Sequence, residues 1–308
     1  MTKQFDLIGI GECLIELYED APNNFKQSIA GDVFNTLYYG ARLGLKTGFI
    51  SNFGSDKLTK KILEVMDREG IDRSCTSHDE NKANGLYLIS NQGDEPHYSF
   101  WRSDSAARRT LEAIDMKKLS TYISSAKYFH FSVIILAVLR ERDKLISILR
   151  NLEEKPIISF DTNVRKGLWE NIESLRNFLE ESSSLIDILF VSKNDDENIF
   201  GKRVAQSAVD FYAGLGYKTV ILRQGAGNVL VRTSEETLRI PVFKDVAIVD
   251  TTAAGDAFNA GFIASRLRGE SIANSVRTGN GCAAFVIGRK GALAEDFQLR
   301  KGVLKTND

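Results

Sequence analysis

The chain has 308 residues, 43% of them hydrophobic, and 40 Lys and Arg against 41 Asp and Glu. That length supports a large core without demanding two domains, and a formal charge of -1 gives no electrostatic footprint for nucleic acid or an anionic membrane. Cys13, Cys75 and Cys282 lie far apart with no Cys-x-x-Cys or Cys/His cluster, which argues against a disulfide framework and a zinc site and makes the reducing cytoplasm the expected location.

The opening segment FDLIGIGECLIELYE starts with a short apolar run bounded by Gly9 and Gly11, the pattern of a buried strand reaching a turn. It is too short for a signal peptide, and no run of about 18 apolar residues follows anywhere. In AGDVFNTLYYGARLG, Phe34, Leu37, Tyr38 and Ala41 recur at helical spacing, with Asp32 placed to cap the start and Gly44 to stop the helix. TGFISNFG reads as a strand, and DKLTKKILEVMDREG as an amphipathic helix ending at Gly70. The rhythm breaks at NGLYLISNQGDEPHYSFWR, where two aromatic-rich alternating segments flank a turn and predict a β-hairpin. Its aromatics Tyr98, Phe100 and Trp101 fit either cross-strand packing or a partner surface. From KYFHFSVI onward the alternation resumes through PIISFDTN, DILFVS, AQSAVDFYAGLG and KTVILRQG. Such β and α alternation predicts a parallel sheet covered on both faces, with ligands beyond the carboxyl ends of its strands.

Near the C-terminus stands DTTAAGDAFNAGF, Asp250 to Phe262. The preceding DVAIVDTT reads as extended and β-branched, and a helical pattern begins at Asp256. Ala253, Ala254 and Gly255 therefore fall where the free N–H groups of a new helix point outward, a ready anion site. Asp256, at its rim, could hold an attacking hydroxyl and accept its proton during phosphoryl transfer. By residue type alone, an ordinary Asp cap on a packed helix accounts for the pattern equally well.

DTTAAGDAFNAGF closely resembles the C-terminal signature of the ribokinase-like (pfkB) sugar kinases, and supporting stretches from near residue 9 to near 293 extend the resemblance over nearly the whole chain. It implies an α/β fold, a three-layer α/β/α arrangement with a mostly parallel central sheet, forming one kinase domain over residues 1–308. A small β-sheet lid would come from segments near 12–30 and 84–103. It implies Asp256 as catalytic base and Ala253, Ala254 and Gly255 as the anion hole. AGDVFNTLYYGARLG resembles the substrate-contacting helix, placing Gly31 and Asn35 at sugar hydroxyls, although Ala30 stands where many members carry a first glycine. The family motif Asn-x-x-Glu appears as Asn194, Asp195, Asp196 and Glu197, implying phosphate contact for Asn194 and water-mediated magnesium binding for Glu197. LRQGAGN stands where the family has Lys-x-Gly-x-x-Gly, which assigns Arg223, Gly225 and Gly227 to the nucleotide; Arg223 replaces the lysine and Asn228 the last glycine. GNGCAAFVIGRKGA resembles the adenine-side helix with Asn280 near the base, and Asp250 and Thr252 fall where a monovalent cation site is often built.

Arg102 closes the hairpin and Arg165 follows PIISFDTN. Guanidinium groups in a closing cleft suit a carboxylate and can also offset charge on a phosphoryl group, although a surface arginine with a buried stem is the commoner arrangement. Within the family, GECLIEL, GLYLIS, YSFWRSDSAA and FDTNVRKGLW most resemble the kinases of 2-keto-3-deoxygluconate, which implies sugar-acid contacts from Gly31, Tyr87, Arg102 and Arg165. The implied reaction carries the ATP γ-phosphate to the 6-hydroxyl of that acid with Mg2+ present, Arg165 bridging sugar and phosphate. Fructokinases carry similar arginines and are the alternative. The resemblance implies a sugar acid and ATP as partners and a homo-oligomer formed through the lid. A dinucleotide-binding oxidoreductase is disfavoured because Leu14 occupies the third glycine position after GIGE, and no P-loop motif occurs. A catalytically silent sugar or nucleotide sensor on the same fold is the competing class, against which the presence of Asp256 argues.

Overall fold

The structure, a computed structural model, describes residues 3–298 apart from positions 22, 93, 94, 166 and 170, and only the backbone at 91, 92 and 95–98. Its strands are β1 (Phe5–Ile10), β2 (Leu14–Ala21), β3 (Asn24–Ala30), β4 (Thr47–Gly54), β5 (Thr76–Asp79), β6 (Leu86–Gln92), β7 (Glu95–Trp101), β8 (Ala126–Ser132), β9 (Ile157–Asp161), β10 (Ile188–Ser192), β11 (Thr219–Arg223), β12 (Val229–Thr233) and β13 (Thr237–Ile240). The α-helices are α1 (Asp32–Arg42), α2 (Thr59–Glu69), α3 (Thr110–Ala113), α4 (Met116–Ser124), α5 (Val133–Val138), α6 (Arg142–Asn151), α7 (Ile172–Glu181), α8 (Lys193–Phe200), α9 (Ala205–Gly214), α10 (Ala254–Leu267) and α11 (Ile272–Ile287).

Nine strands form one sheet in the order β13-β12-β11-β10-β9-β8-β1-β4-β5. Every pairing from β11 to β5 is parallel, and β12 and β13 add an antiparallel edge. Alternation along the strands explains why both faces are buried: Ile8, Phe129, Leu189 and Val220 enter one apolar cluster, while Leu7, Tyr128, Phe190 and Ile221 enter the other. Helices α4 to α9 cover the first face, and α1, α2, α10 and α11 the second. The sheet is thus the middle of three layers, the ribokinase-like arrangement expected from the sequence.

A second sheet runs in the order β3-β2-β6-β7, with antiparallel β2–β3 and β6–β7 pairs joined by a parallel β2–β6 pair. It contains the hairpin read from the sequence; the turn at 93 and 94 and the Tyr98 side chain lie outside the described residues. Phe100 stacks on Tyr87 at 5.6 Å between ring centroids, so part of the aromatic pattern serves cross-strand packing.

Three local expectations are corrected. DVAIVDTT forms no strand: β13 ends the sheet at Ile240, and Ile248 and Val249 are exposed in irregular chain. Asp32 does not cap α1. The cap position is Gly31, and Asp32 sits in the first turn with Oδ2 accepting from Asn163 Nδ2 at 3.1 Å. Helix α10 also begins at Ala254, two residues before Asp256, so Asp256 lies inside the first turn. Its Ala257, Ala260 and Ala264 are fully buried, and a Cβ on Gly261 would stand 2.6 Å from Cys282 Sγ. Small residues therefore let α10 and α11 lie in close contact. Among the described residues no helix is long and apolar enough to cross a membrane.

Candidate active site

The carboxyl ends of β9, β10 and β11 meet the N-termini of α1 and α10 through side-chain hydrogen bonds, at the end of the sheet where parallel α/β folds bind their ligands. The centre of the site is the turn into α10. Ala253 has φ +60°, left-handed backbone that costs a non-glycine residue about 1–2 kcal/mol. Asp250 fixes the approach to that turn: Oδ1 accepts from Thr252 N and Oγ1 at 2.9 and 2.7 Å, and Oδ2 from Gly291 N at 2.9 Å. Beyond it, the Ala254 amide reaches Thr251 O at 3.3 Å and the Ala257 amide Ala253 O at 2.9 Å. The amides of Gly255 and Asp256, between them, have no acceptor among the described residues. The expected anion hole therefore has two unspent donors at a helix N-terminus.

Asp256 is 8% exposed, and its Oδ2 accepts from Asn35 Nδ2 at 2.8 Å. Thr36 Oγ1 lies within hydrogen-bond distance of both the Asp32 carbonyl, at 3.1 Å, and the Asp256 carbonyl, at 3.3 Å, so α1 packs against the start of α10. Burial, and next the charge of Asp32, hold the Asp256 carboxyl well above the usual carboxylate range; the Asn35 hydrogen bond and Arg165 pull it back. Asn35, expected at a sugar hydroxyl, thus spends its amide on the base. Its Oδ1 accepts from the Gly31 amide at 3.3 Å. Gly31 is required by close approach, since a Cβ there would lie 1.9 Å from Glu12 O.

Arg223, expected at the nucleotide, is held by protein partners at the start of α10. Its Nη2 binds both Asp161 oxygens at 2.9 and 3.0 Å, and its Nη1 donates to Gly255 O and Asn259 Oδ1, each at 3.1 Å. Asn259 Nδ2 closes the ring on Asp161 Oδ2 at 2.6 Å. The guanidinium fork clamps β9 to the first turns of α10, an arrangement a lysine could not reproduce. Gly225, at φ +58°, and Gly227 are exposed in the turn after β11. Asn280 is buried, with Nδ2 donating to Pro241 O at 3.1 Å; exposed Phe243, Ile248 and Val249 lie on the chain between there and the anion hole.

The Asn-x-x-Glu motif lies in the first turns of α8, after β10. Asn194 is exposed, Glu197 is half-buried and pairs with Lys193 at 3.7 Å, and Asp196 pairs with Arg203. Asp195 is buried; its oxygens accept from Thr162 Oγ1 at 3.0 Å and the Val164 amide at 3.1 Å, which pins the segment leading to Arg165. Burial, with the charge of Asp161, raises its carboxyl pKa. Arg165 is exposed, and its one recorded side-chain hydrogen bond among the described residues goes to the neighbouring Val164 carbonyl.

On the lid, Arg102 is paired with Glu12 at 2.8 Å, while Ser105 Oγ donates to Glu12 Oε1 at 2.6 Å. The Tyr87 hydroxyl donates to Glu16 Oε2. The structure brings together Asp256, Asn35, Gly31 and the anion-hole residues, and ties both Arg102 and Tyr87 to glutamates of the lid. Sequence reasoning missed those glutamates, along with Asp161, Asn259 and the part Asp32 plays beside Asp256. Asp161 alone had a usable signal, an acid at the carboxyl end of a strand.

The sequence pattern of the pfkB family carbohydrate kinases matches residues 4–297. The 2-dehydro-3-deoxygluconokinase of Escherichia coli strain K12 is 32% identical over 304 residues, covering 95% of this chain and 97% of that one. The crystal structure of a PfkB protein from Polaromonas sp. JS666 superposes with a TM-score of 0.81 at 25% identity, covering 92% of this chain and 96% of that one. A putative ribokinase II from E. coli, solved in complex with ATP and Mg2+, shares the fold at a TM-score of 0.81 and 22% identity, over 93% and 94% of the two chains. With a helix N-terminus offering free amides beside a buried carboxylate, on this sheet and under this lid, the chain belongs to the pfkB family and is an ATP-dependent carbohydrate kinase.

Proposed function

We propose that the protein transfers the γ-phosphate of ATP to the 6-hydroxyl of 2-keto-3-deoxygluconate. The observation that carries this reading is the pairing of unspent Gly255 and Asp256 amides with the Asp256 carboxylate in one helical turn. Asp256 holds the 6-hydroxyl and accepts its proton, and Asn35 keeps the carboxylate aimed. The amides hold the charge that moves with the phosphoryl group. Exposed Arg165 is free to swing between sugar and phosphate, and Ala253 and Ala254 keep side chains out of the way.

Magnesium bound with ATP supplies the neutralisation of phosphate charge. Its fit follows from the donor set: the described residues hold no cluster of three His, Cys, Asp or Glu side chains suited to a metal, whereas magnesium keeps its waters and needs only one or two carboxylates beside the phosphates. Glu197, half-buried at the start of α8, is the residue to hold it through water, with Asn194 beside it at the phosphates. Gly225, Gly227 and Asn280 line the nucleotide side, with Arg223 acting through Gly255. The same reading takes residues 1–308 as one kinase unit with its lid, a cytoplasmic homo-oligomer joined through that lid, and a monovalent cation at Asp250 and Thr252.

The similarity to a 2-dehydro-3-deoxygluconokinase over nearly the whole chain supports the acid sugar. One observation favours a neutral ketose such as fructose instead: the Arg102 charge is already compensated by Glu12. A coupled ADP assay with ATP and magnesium decides between them. The keto acid should give the higher kcat/KM; a large preference for fructose sinks the acid reading and leaves the kinase.

A further inference from the structure

The lid segment GECLIEL carries two glutamates that phosphoryl transfer does not use, and both are buried, Glu12 at 3% and Glu16 at 0% exposure. Each engages one of the hairpin residues expected at the sugar. Glu12 compensates Arg102, and Ser105 fixes its other oxygen. Glu16 stands opposite Tyr87 in the β2–β6 register and accepts its hydroxyl. A phenol keeps its proton far above the pH at which a carboxylate loses its own, so Tyr87 is the donor in this pair. A hydroxyl has one proton to give. With that proton committed, Tyr87 offers a ligand only lone pairs.

The surroundings act in the same direction. Glu16 Oε1 has no hydrogen-bond partner among the described residues, and Asp250 adds a second negative charge near it. Ser28, opposite Glu16 on β3, carries no charge, and the Lys290 amine lies farther along the lid, over the Tyr18 ring. Tyr87 packs with Leu14, Ala30, Ala292 and Ala253, the last being the turn residue before α10, so it borders the anion hole. Beside its hydroxyl stand the Glu16 carboxylate, which accepts, and the negative charge of Asp250. A sugar hydroxyl can donate there, whereas a carboxylate would meet repulsion from both.

We propose that Glu16 is a specificity-setting positioning residue: by taking the Tyr87 proton it makes Tyr87 read a sugar hydroxyl and leaves the carboxylate of an acid sugar to Arg102. The inference rests on the sugar-acid reading above. Steady-state kinetics of the full-length protein test it, with the keto acid and fructose each followed as substrate or as competitive inhibitor. Tyr87→Phe keeps the ring and removes the lone pairs, so KM or Ki should rise by the same factor for both sugars, about 3- to 10-fold for one hydrogen bond, with kcat unchanged. Glu16→Gln removes the charge and lets Tyr87 turn its proton outward. It should lower KM several-fold for the keto acid and leave fructose unmoved. Arg102→Lys should penalise the keto acid alone. A Tyr87→Phe penalty confined to the keto acid, or a Glu16→Gln effect that is absent or equal for both sugars, overturns the proposal. Failure of the parent reading is separate and visible in the wild type, as a keto acid that is neither phosphorylated nor competitive.

Discussion

Ala253 is the residue where backbone strain and function meet. Its φ of +60° aims the following amides outward, and glycine would adopt that conformation without the Cβ penalty. The gain is partly offset by the greater freedom of glycine in the unfolded chain. Ala253→Gly should therefore stabilise the protein by about 0–1 kcal/mol in denaturant unfolding and keep kcat within about twofold; a loss of more than about 1 kcal/mol would contradict the strain. Glu16 makes a second prediction. Burial raises its carboxyl to about 6 from an ordinary 4.5, against the Tyr87 hydrogen bond that lowers it. The folded state thus holds the proton more tightly than the unfolded chain, so stability from this group is present below about pH 4.5 and lost as pH rises through about 6. Glu16→Gln should flatten that part of the stability profile and add about 2 kcal/mol at pH 7. Such residue-scale features were only partly legible. The sequence marks Asp256 through its small neighbours, but nothing local reveals that Asp32 turns to Asn163, 131 positions away, instead of capping its own helix.

At the scale of elements, the working unit is the joint between β9, β11 and α10. Arg223 and Asp161 are 15% and 4% exposed at their side chains, so removing one charge strands the other. Asp161→Asn should cost about 3–5 kcal/mol in denaturant unfolding, and kcat should fall with it because the Gly255 carbonyl loses its fixed donor. A cost under about 1 kcal/mol would show that the joint does not depend on the ion pair. The strands of this joint are readable because two-sided burial writes them as largely apolar runs, IISFD and TVILR. DVAIVDTT shows the converse. It has the β-branched composition of a strand, yet it runs as irregular chain after β13, and its Val249 and Asp250 amides bond the Ile287 carbonyl at the end of α11 instead of a strand. Composition reports what a segment could pair with, and topology decides whether a partner exists.

For the whole molecule, the lid and the large sheet divide the labour. The large sheet and the helix α10 packed on it supply the base, the anion hole and the clamp behind them; the small sheet and the residue after it supply Tyr87 and Arg102, each already held by a glutamate. Exposed Phe25, Phe100 and Trp101 sit on the lid, where a second copy would cover them in the proposed homo-oligomer. The sequence conveyed this division because the hairpin interrupts the β and α alternation once. It could not convey that the lid's cation arrives neutralised, since Glu12 and Arg102 meet only in three dimensions. Asp256 is the residue on which the proposed chemistry turns, and Asp256→Asn tests the account most directly. Assayed with ATP, magnesium and the keto acid, this variant should lose about 10²–10⁴-fold in kcat while binding ATP as tightly as the wild type. Turnover near the wild-type rate would contradict the role assigned to that carboxylate.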